Sequence, residues 1–391
     1  MPVFVIIAVV VILAGARAYA TGKFSQEGRW PDVEGGTYAS PVTKGGVKYL
    51  VPPDELYENG LGKDGFPALN TPAFLSVAAA DDVLDDTVNG ISVVVDGQAR
   101  FYSYQILNWH EVVNDHFGNK DLLISYSPFC GAAVVYERSL DGNTRTFGDA
   151  GFVYNDCAIL YDGTTDTLWN QATGVAIVGN EAGKVLPRYH STVMTWADWK
   201  KAYPNGQALS TDTGFTRDYR RHPYGGYETS SAIFFPVNKT QNRVGAKDPV
   251  KDYIVDGRHM GVSVALASFM EDLSVNSGEE GATRLAVFVD GTDVHLFESF
   301  LDVDSRPLTF TKTGNVITDK ETGSTWNTKG EAIKGEYKGQ KLTELTSDAR
   351  YFMFAYVSEY PDAVLAGADA FDAAQAANPT KPAGTDLNVG E

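Results

Sequence analysis

Several residue patterns are scarce or missing in this sequence. Only two cysteines, Cys130 and Cys157, occur among 391 residues. No stripe of Lys and Arg is present in a chain whose formal net charge is −18, which excludes nucleic acid as a partner and indicates a solvated acidic surface. The G-x-S-x-G, H-E-x-x-H, Walker and G-x-G-x-x-G signatures are also absent, so none of these catalytic classes is indicated.

Long apolar runs are confined to the N-terminus. Residues 3–16 form an uncharged, mostly apolar run, which is short for a membrane span and precedes the small-x-small pattern Ala18-Tyr19-Ala20. We predict that residues 1–20 are a cleaved signal peptide and that the protein is extracytoplasmic, in the periplasm, at the cell surface or secreted. The alternative is an uncleaved N-terminal anchor that attaches the protein to the membrane through residues 3–16.

The remaining composition is typical of a β-rich globular protein. Tyr and Phe contribute 20 residues each, many of them in alternating runs. We predict an α+β fold of twisted antiparallel sheets with short helices. One helix is predicted over residues 104–117, because Ile106, Trp109, Val113 and Phe117 recur at helical spacing.

Two distant segments resemble each other. The stretches LWNQATGVAIVGNEAGKVL (168–186) and TWNTKGEAIKGEYKGQKL (325–342) share a Trp-Asn pair followed by Gly, Ala-Ile, Gly, Gly and Leu in the same order. Ordered matches of this kind favour an internal duplication. We therefore predict two tandem diverged repeats, at residues 66–245 and 246–369.

The segments that flank the two predicted repeats, and the residues found in only one repeat, complete the predicted domain organisation. Residues 21–65, rich in Gly and Pro, are predicted to form an extended arm, and residues 370–391 a flexible tail. His110, Cys130 and Cys157 have no counterpart in the second repeat. The first repeat is therefore the predicted functional half, and the second is the degenerate one.

Two groups of polar residues are candidates for a pocket. His110 and Asn114 have i, i+4 spacing on the predicted helix, so both can face one pocket, although a histidine often serves as a hydrogen-bonded structural residue. Arg217, Asp218 and Tyr219 lie in the dense stretch TGFTRDYRRHPYGGY. This stretch suits either an anion or carboxylate clamp or a loop held by internal ion pairs.

The two cysteines have three interpretations. Cys130 can be a small buried side chain, or it can form a disulfide with Cys157 in an oxidising compartment. Alternatively, Cys130 and His110 can form a thiolate or metal site, for which Zn or Cu is the expected ion.

Several ordered segments resemble one family. They include DGFPALNTPAFLSVAAAD, YSYQILNWHEVVNDHFG, YSPFCGAAVVYER and TFGDAGFVYNDCAILYDGTTDTLWNQATGVAIVG. Over about residues 64–366 the chain resembles the prokaryotic family called domain of unknown function 3179. The resemblance implies an exported or envelope-associated protein and no established activity.

The chain departs from the family at one turn. Members often have Cys-Pro-x-Cys-Gly there, whereas this chain has Ser127 in the first position and keeps only Cys130. The change removes half of a dithiol, and Cys157, where the family more often has an aliphatic or polar residue, is a candidate replacement in space.

Two functional hypotheses follow. The first is a ligand-binding, partner-binding or structural module of the cell envelope, with a pocket in the first repeat and an envelope protein or a second copy as partner. The alternative is a metal-binding or thiol-dependent redox protein or enzyme that uses His110 and Cys130.

Overall fold

The computed structural model describes residues 40–278, 283–301, 306–347 and 349–377. The predicted signal peptide, the first part of the arm and the end of the tail lie outside these ranges. The described residues divide into two compact units: unit 1 contains residues 40–239 with 349–350, and unit 2 contains the described residues between 240 and 347 with 351–377. Within the described ranges, no helix has the length and apolar character to cross a membrane.

Unit 1 holds the first seventeen strands and three α-helices of the described chain. The strands are β1 (Val42–Lys44), β2 (Val47–Tyr49), β3 (Tyr57–Glu58), β4 (Phe74–Ser76), β5 (Asn89–Val95), β6 (Gln98–Ser103), β7 (Val112–Phe117), β8 (Lys120–Ser127), β9 (Ala132–Glu137), β10 (Ser139–Leu140), β11 (Asn143–Thr144), β12 (Phe147–Tyr154), β13 (Cys157–Asp162), β14 (Leu168–Asn170), β15 (Ala176–Val178), β16 (Thr192–Thr195) and β17 (Gln207–Leu209). The helices are α1 (Val77–Ala80), α2 (Tyr104–His110) and α3 (Trp196–Ala202), and short 3-10 helices lie at Pro53–Glu55 and Tyr227–Thr229.

The remaining elements follow residue 240. The strands are β18 (Pro249–Val255), β19 (Arg258–Val262), β20 (Ser274–Asn276), β21 (Arg284–Asp290), β22 (Asp293–Glu298), β23 (Phe310–Thr313), β24 (Val316–Asp319), β25 (Thr325–Trp326), β26 (Ala332–Lys334), β27 (Ala349–Phe352) and β28 (Val364–Leu365). The helices are α4 (Val264–Ala267), α5 (Met353–Glu359) and α6 (Ala368–Ala377).

The predicted α+β, β-rich fold class is confirmed. In unit 1, one antiparallel sheet has the strand order β1-β2-β15-β14-β13-β12-β3. A second, mixed sheet has the order β16-β5-β6-β17-β4, in which β17 runs parallel to β6. Strands β7, β8 and β9 form an antiparallel meander, in which Val113 pairs with Ile124 and Ile124 pairs with Val135. These three residues are fully buried and belong to the apolar core that α2 also covers.

The helix predicted over residues 104–117 is wrong beyond His110. Ser103 caps α2 by accepting a hydrogen bond from the Gln105 amide, and Glu111 then leaves the helix with φ 57°. The β-branched pair that follows favours a strand, and it begins β7. Apolar residues four positions apart share one face in a helix and also in a strand, so their spacing could not distinguish the two.

Two other segments contain more regular structure than the sequence indicated. The described part of the arm includes the hairpin β1–β2, in which Thr43 pairs with Lys48. The segment predicted as a tail from residue 370 begins inside α6. Alanine, the best helix former, supplies six of the ten residues of α6, which explains why this segment is helical.

The two units contain one local arrangement in common. In unit 1 the indole nitrogen of the buried Trp169 donates to Asp162 at 2.9 Å, and in unit 2 that of Trp326 donates to Asp319, also at 2.9 Å. Each pair is separated by seven residues and joins neighbouring antiparallel strands, β13–β14 and β24–β25. The aligned Trp residues therefore occupy equivalent local environments.

The turn after each tryptophan is also shared. Gly174 and Gly330 have φ values of 72° and 75°, a region that glycine adopts readily. Their carbonyls accept from the amides of Leu186, at 2.9 Å, and Leu342, at 2.8 Å. These contacts explain why the glycine pattern occurs twice, while duplication of the whole repeats at 66–245 and 246–369 stays a prediction.

We expect Trp169 to be essential to the stability of unit 1. Replacing this fully buried ring by alanine should lower the free energy of unfolding by about 3–5 kcal/mol, because the cavity would not refill and Asp162 would lose a donor. Denaturant unfolding of Trp169→Ala measures this. The exposed Val185→Ala is the control, with a change of at most about 0.5 kcal/mol. Equal stability of the two variants would contradict the assignment.

Candidate functional site

His110 is the last residue of α2, and both of its ring nitrogens have partners. Nδ1 lies 2.7 Å from the Pro67 carbonyl oxygen, and Nε2 lies 2.7 Å from the Tyr219 hydroxyl. A carbonyl can only accept, so Nδ1 carries the proton and Nε2 accepts from Tyr219. Burial, with the positive charge of Arg217 adding to it, lowers the pKa of His110 to about 4. The imidazole is therefore neutral at pH 7.

Tyr219 continues this chain of hydrogen bonds. Its hydroxyl proton is directed to His110, so its oxygen accepts from the Thr213 hydroxyl at 2.5 Å. The Phe215 amide in turn donates to the Thr213 oxygen at 3.3 Å. Burial raises the pKa of Tyr219. His110 and Tyr219, predicted from separate parts of the sequence, are thus in direct contact.

A small cavity adjoins this chain. Its volume is 210 Å³, and its walls are formed by residues 68–73 and by Leu209, Ser210, Asp212, Thr213 and Phe215 of the segment 209–215. Thr213 lines the cavity, and Phe215 both lines it and lies 5.3 Å from the His110 ring, centroid to centroid. The Phe215 side chain is 42% exposed. The cavity is therefore open to solvent and connected to His110 through two of its wall residues.

Asn114 does not share a helix with His110, contrary to the prediction. It lies on β7, where its amide nitrogen donates to the Asn70 side chain and to the Phe147 carbonyl, both at 2.8 Å. Its amide oxygen accepts from the Phe147 backbone at 2.9 Å. The predicted i, i+4 relation is absent because the helix ends at His110. Asn114 instead connects β7 to β12 and to the segment that borders the cavity.

The two other candidate residues near Tyr219 differ from each other in role. Arg217 is exposed, with its guanidinium 5.9 Å from the centre of the Trp109 ring, and it donates to the Thr216 carbonyl. Asp218 forms a turn, because its carboxylate accepts from the Arg220 amide at 3.3 Å. Arg217 remains accessible to a ligand, whereas the contacts of Asp218 are local.

Cys130 and Cys157 form a disulfide in this structure, with their Cα atoms 5.1 Å apart. Both residues are fully buried. Ser127, in the position where relatives have a cysteine, is also buried and accepts from the Ala158 amide at 3.2 Å. With its sulfur bonded to Cys157, Cys130 offers no thiolate to a metal, and His110 directs its nitrogens to Pro67 and Tyr219. No group of three or more His, Cys, Asp or Glu residues suited to a metal ion occurs in the described part of the chain.

Two buried acids were not found from the sequence. Glu111 is 3% exposed and adopts φ 57°, with its carboxylate 3.4 Å from the Tyr224 hydroxyl. Burial and the nearby negative charge of Asp149 raise the pKa of Glu111 well above its ordinary range. Burial also raises the pKa of Asp149 to about 6, although the amides of Gly151 and Phe66 donate to its carboxylate. Neither acid belongs to a motif, so only the fold reveals the pair.

Comparison with known proteins places the chain in a family. The profile described as Protein of unknown function (DUF3179) matches residues 63–363. The chain belongs to that family. No curated protein and no solved structure matches it.

The buried acid Asp149 and the buried base His110 should give opposite pH dependences of stability. The pKa of Asp149 is raised to about 6, so its stabilising contribution is present at low pH and is lost as pH rises from about 4 to 6. The pKa of His110 is lowered to about 4, so its contribution is present above about pH 6.5 and is lost as pH falls to 4. The two effects offset each other in the wild-type protein.

Single variants separate the two effects. Between pH 4 and 7, the stability of Asp149→Asn relative to wild type should rise by about 3 kcal/mol, and that of His110→Asn should fall by a similar amount. Denaturant titrations at several pH values measure both differences, and Asn at residue 110 retains a donor for the Pro67 carbonyl. Parallel pH profiles for wild type and Asp149→Asn would contradict the assignment.

Proposed function

We propose that this protein is an exported binding module of the cell envelope, and that the cavity between residues 68–73 and 209–215 takes a small ligand with a cationic, hydrogen-donating head. The observation that carries the proposal is the hydrogen-bond chain from Pro67 through His110 and Tyr219 to Thr213, which ends at the cavity wall.

The size of the cavity limits the ligand. Ligand pockets commonly have volumes of about 300–1,000 Å³, and this cavity of 210 Å³ is smaller. A compact group of a few heavy atoms fits it, whereas a nucleotide or a bulky cofactor does not. The ligand is therefore a small molecule or the end group of a larger one.

The hydrogen-bond acceptors in the cavity wall favour a ligand that donates hydrogen bonds. The proton of Tyr219 is committed to His110 and that of Thr213 to Tyr219, so Thr213 can offer a ligand only an acceptor. The Ser210 oxygen accepts from the Asp212 amide at 3.0 Å, and the Asp212 carboxylate lies on the exposed rim. Two hydroxyl oxygens and a carboxylate around one cavity suit an ammonium or a similar donor-rich group.

An exposed aromatic ring supports a cationic ligand. Phe215 contributes its half-exposed ring to the same wall as Asp212. An aromatic face and a carboxylate attract a small cation together, because the ring quadrupole and the negative charge act in the same direction. The net charge of −18 also favours the approach of cations at low ionic strength.

The alternative function, metal or thiol chemistry at His110 and Cys130, has less support. The Cys130 sulfur is bonded to Cys157, and both His110 nitrogens are engaged in hydrogen bonds. The disulfide does support the extracytoplasmic location that we propose, since disulfides persist in oxidising compartments.

A panel of probes tests the binding proposal. Tetramethylammonium should bind and shift NMR signals of the cavity residues, while neutral tert-butanol and anionic acetate should bind more weakly. Asp212→Asn should weaken tetramethylammonium binding at least about fivefold, because the carboxylate provides much of the attraction. Asp218→Asn, which removes a charge outside the cavity wall, should change it less than about twofold. Absence of binding, or equal effects of the two variants, would overturn the proposal.

Export is tested separately. Protein from the native source should begin at Thr21, because cleavage is expected after the Ala18-Tyr19-Ala20 pattern. Intact mass and the N-terminal peptide measure this. Retention of residues 1–20 would instead favour an anchor that attaches the protein to the membrane.

A further inference from the structure

The segment that borders the cavity continues across the disulfide region. Residues 211–238, here called the strap, form no strand, and their regular structure is one 3-10 helix at Tyr227–Thr229. The strap includes Thr213, Phe215 and Tyr219 of the candidate site. Because it lacks a backbone ladder, its position depends largely on side-chain contacts.

Tyr227 attaches the strap to both sides of the disulfide. Its hydroxyl oxygen lies 2.9 Å from the Phe129 carbonyl oxygen and 2.8 Å from the Asp156 carboxylate. Phe129 immediately precedes Cys130, and Asp156 immediately precedes Cys157. One buried hydroxyl group therefore spans the two chain segments that the disulfide holds together.

Other strap residues contact the same two segments. The Phe234 amide donates to the Asp156 carboxylate at 3.3 Å, and the Asn238 amide donates to the Asn155 side chain at 2.9 Å. The Phe129 ring packs edge-on against the rings of Tyr224, Tyr227 and Phe234, at centroid distances of 4.9, 5.8 and 5.6 Å. This half of the strap therefore rests on residues next to the cysteines.

We propose that the Cys130–Cys157 disulfide is a redox switch that holds the strap in place and so regulates the candidate binding site. The inference rests on the proposed function, because the strap supplies Thr213 and Phe215 to the cavity. In the switching step an external dithiol is oxidised to its disulfide, and its two electrons and two protons convert Cys130 and Cys157 to thiols.

Reduction changes the distance on which Tyr227 depends. Bonded sulfurs are about 2.05 Å apart, whereas non-bonded sulfurs must separate to at least about 3.5 Å. Since both cysteines are fully buried among packed side chains, we expect the two chain segments to take up part of the extra distance. Movement of these segments away from each other lengthens at least one of the two Tyr227 contacts, and we expect the strap to loosen.

The coupling acts in both directions. Because the strap rests on the residues next to both buried cysteines, we expect a reductant to reach the sulfurs more easily when the strap lifts, and a ligand that holds the strap down to slow reduction. We also expect the oxidised protein to bind the ligand more tightly than the reduced protein, and linkage then requires that bound ligand makes the disulfide harder to reduce at equilibrium. In this proposal, the redox potential of the compartment sets the fraction of oxidised protein, and that fraction sets the affinity of the cavity for its ligand.

Limited proteolysis measures the strap directly. Arg217, Arg220 and Arg221 are exposed on the strap and are sites for trypsin. Cleavage there should become at least about tenfold faster after reduction with dithiothreitol, because local opening admits the protease. Cleavage after Lys200 and Lys201, which lie in α3 outside the strap, is the internal control and should change by less than about twofold.

A matched pair of variants tests the role of the Tyr227 hydroxyl. Tyr227→Phe should speed both disulfide reduction and strap cleavage in the oxidised protein. Tyr161→Phe removes a hydroxyl that donates to Asp64, outside the strap, and should change neither rate. The double variant Cys130→Ser with Cys157→Ser should be cleaved in the strap as fast as the reduced protein.

The outcomes distinguish a disulfide that controls the strap from one that only stabilises unit 1. Equal cleavage of the strap in the two redox states would overturn the proposal. Equal acceleration at Lys200 and Lys201 would do so too, because it would show that reduction unfolds unit 1 as a whole. Since proteolysis needs no ligand, failure of tetramethylammonium to bind would overturn the binding function alone. Binding of equal strength before and after reduction would overturn the switch alone.

Discussion

The hydrogen bond between His110 and the Pro67 carbonyl sets the direction of every later bond in the candidate site. Because the carbonyl can only accept, the proton is fixed on Nδ1, and Nε2 has to accept from Tyr219. Tyr219 then accepts from Thr213, so the Thr213 oxygen at the end of this hydrogen-bond chain can only accept from a ligand in the cavity. The opposite tautomer would leave two acceptors facing each other at Pro67, so the polarity of the cavity wall is built into the fold.

The end of α2 explains how this histidine is held. Glu111 leaves the helix in a backbone conformation that costs a non-glycine residue about 1–3 kcal/mol and persists only where the surroundings enforce it. Here its amide donates to Leu107 at 2.8 Å and its carbonyl accepts from Tyr126 at 2.9 Å, so both backbone groups remain paired. The abrupt change from helix to strand leaves His110 on the helix and directs the Glu111 side chain into a buried site. Burial there raises the pKa of Glu111.

Residue patterns in the sequence predicted those features of the structure that depend on residues close together in the chain. Alternating aromatic residues indicated the β-rich class, and the spacing around Trp169 and Trp326 predicted a shared arrangement that the structure contains in both units. The segment after His110 was misread because Val113 and Phe117 suit a helix face and a strand face equally. Contacts such as Glu111 with Tyr224 join residues more than a hundred positions apart, and no periodicity in one sequence can indicate them.

The contacts of the strap bear on the proposed regulation of the site. Tyr219 fixes one part of the strap to His110 and Tyr227 fixes another to the disulfide region, and further contacts lie between them. Among these, the Trp109 indole donates to the Arg221 carbonyl at 3.2 Å. Loss of the Tyr227 contact therefore displaces Tyr219 only if these intermediate contacts also break. Opening a segment that is held by side chains costs a small fraction of the free energy needed to unfold a sheet. The meander β7–β9 has its own backbone ladder, so we expect it to stay folded, with His110 in place beside it, when the strap and its wall residues move.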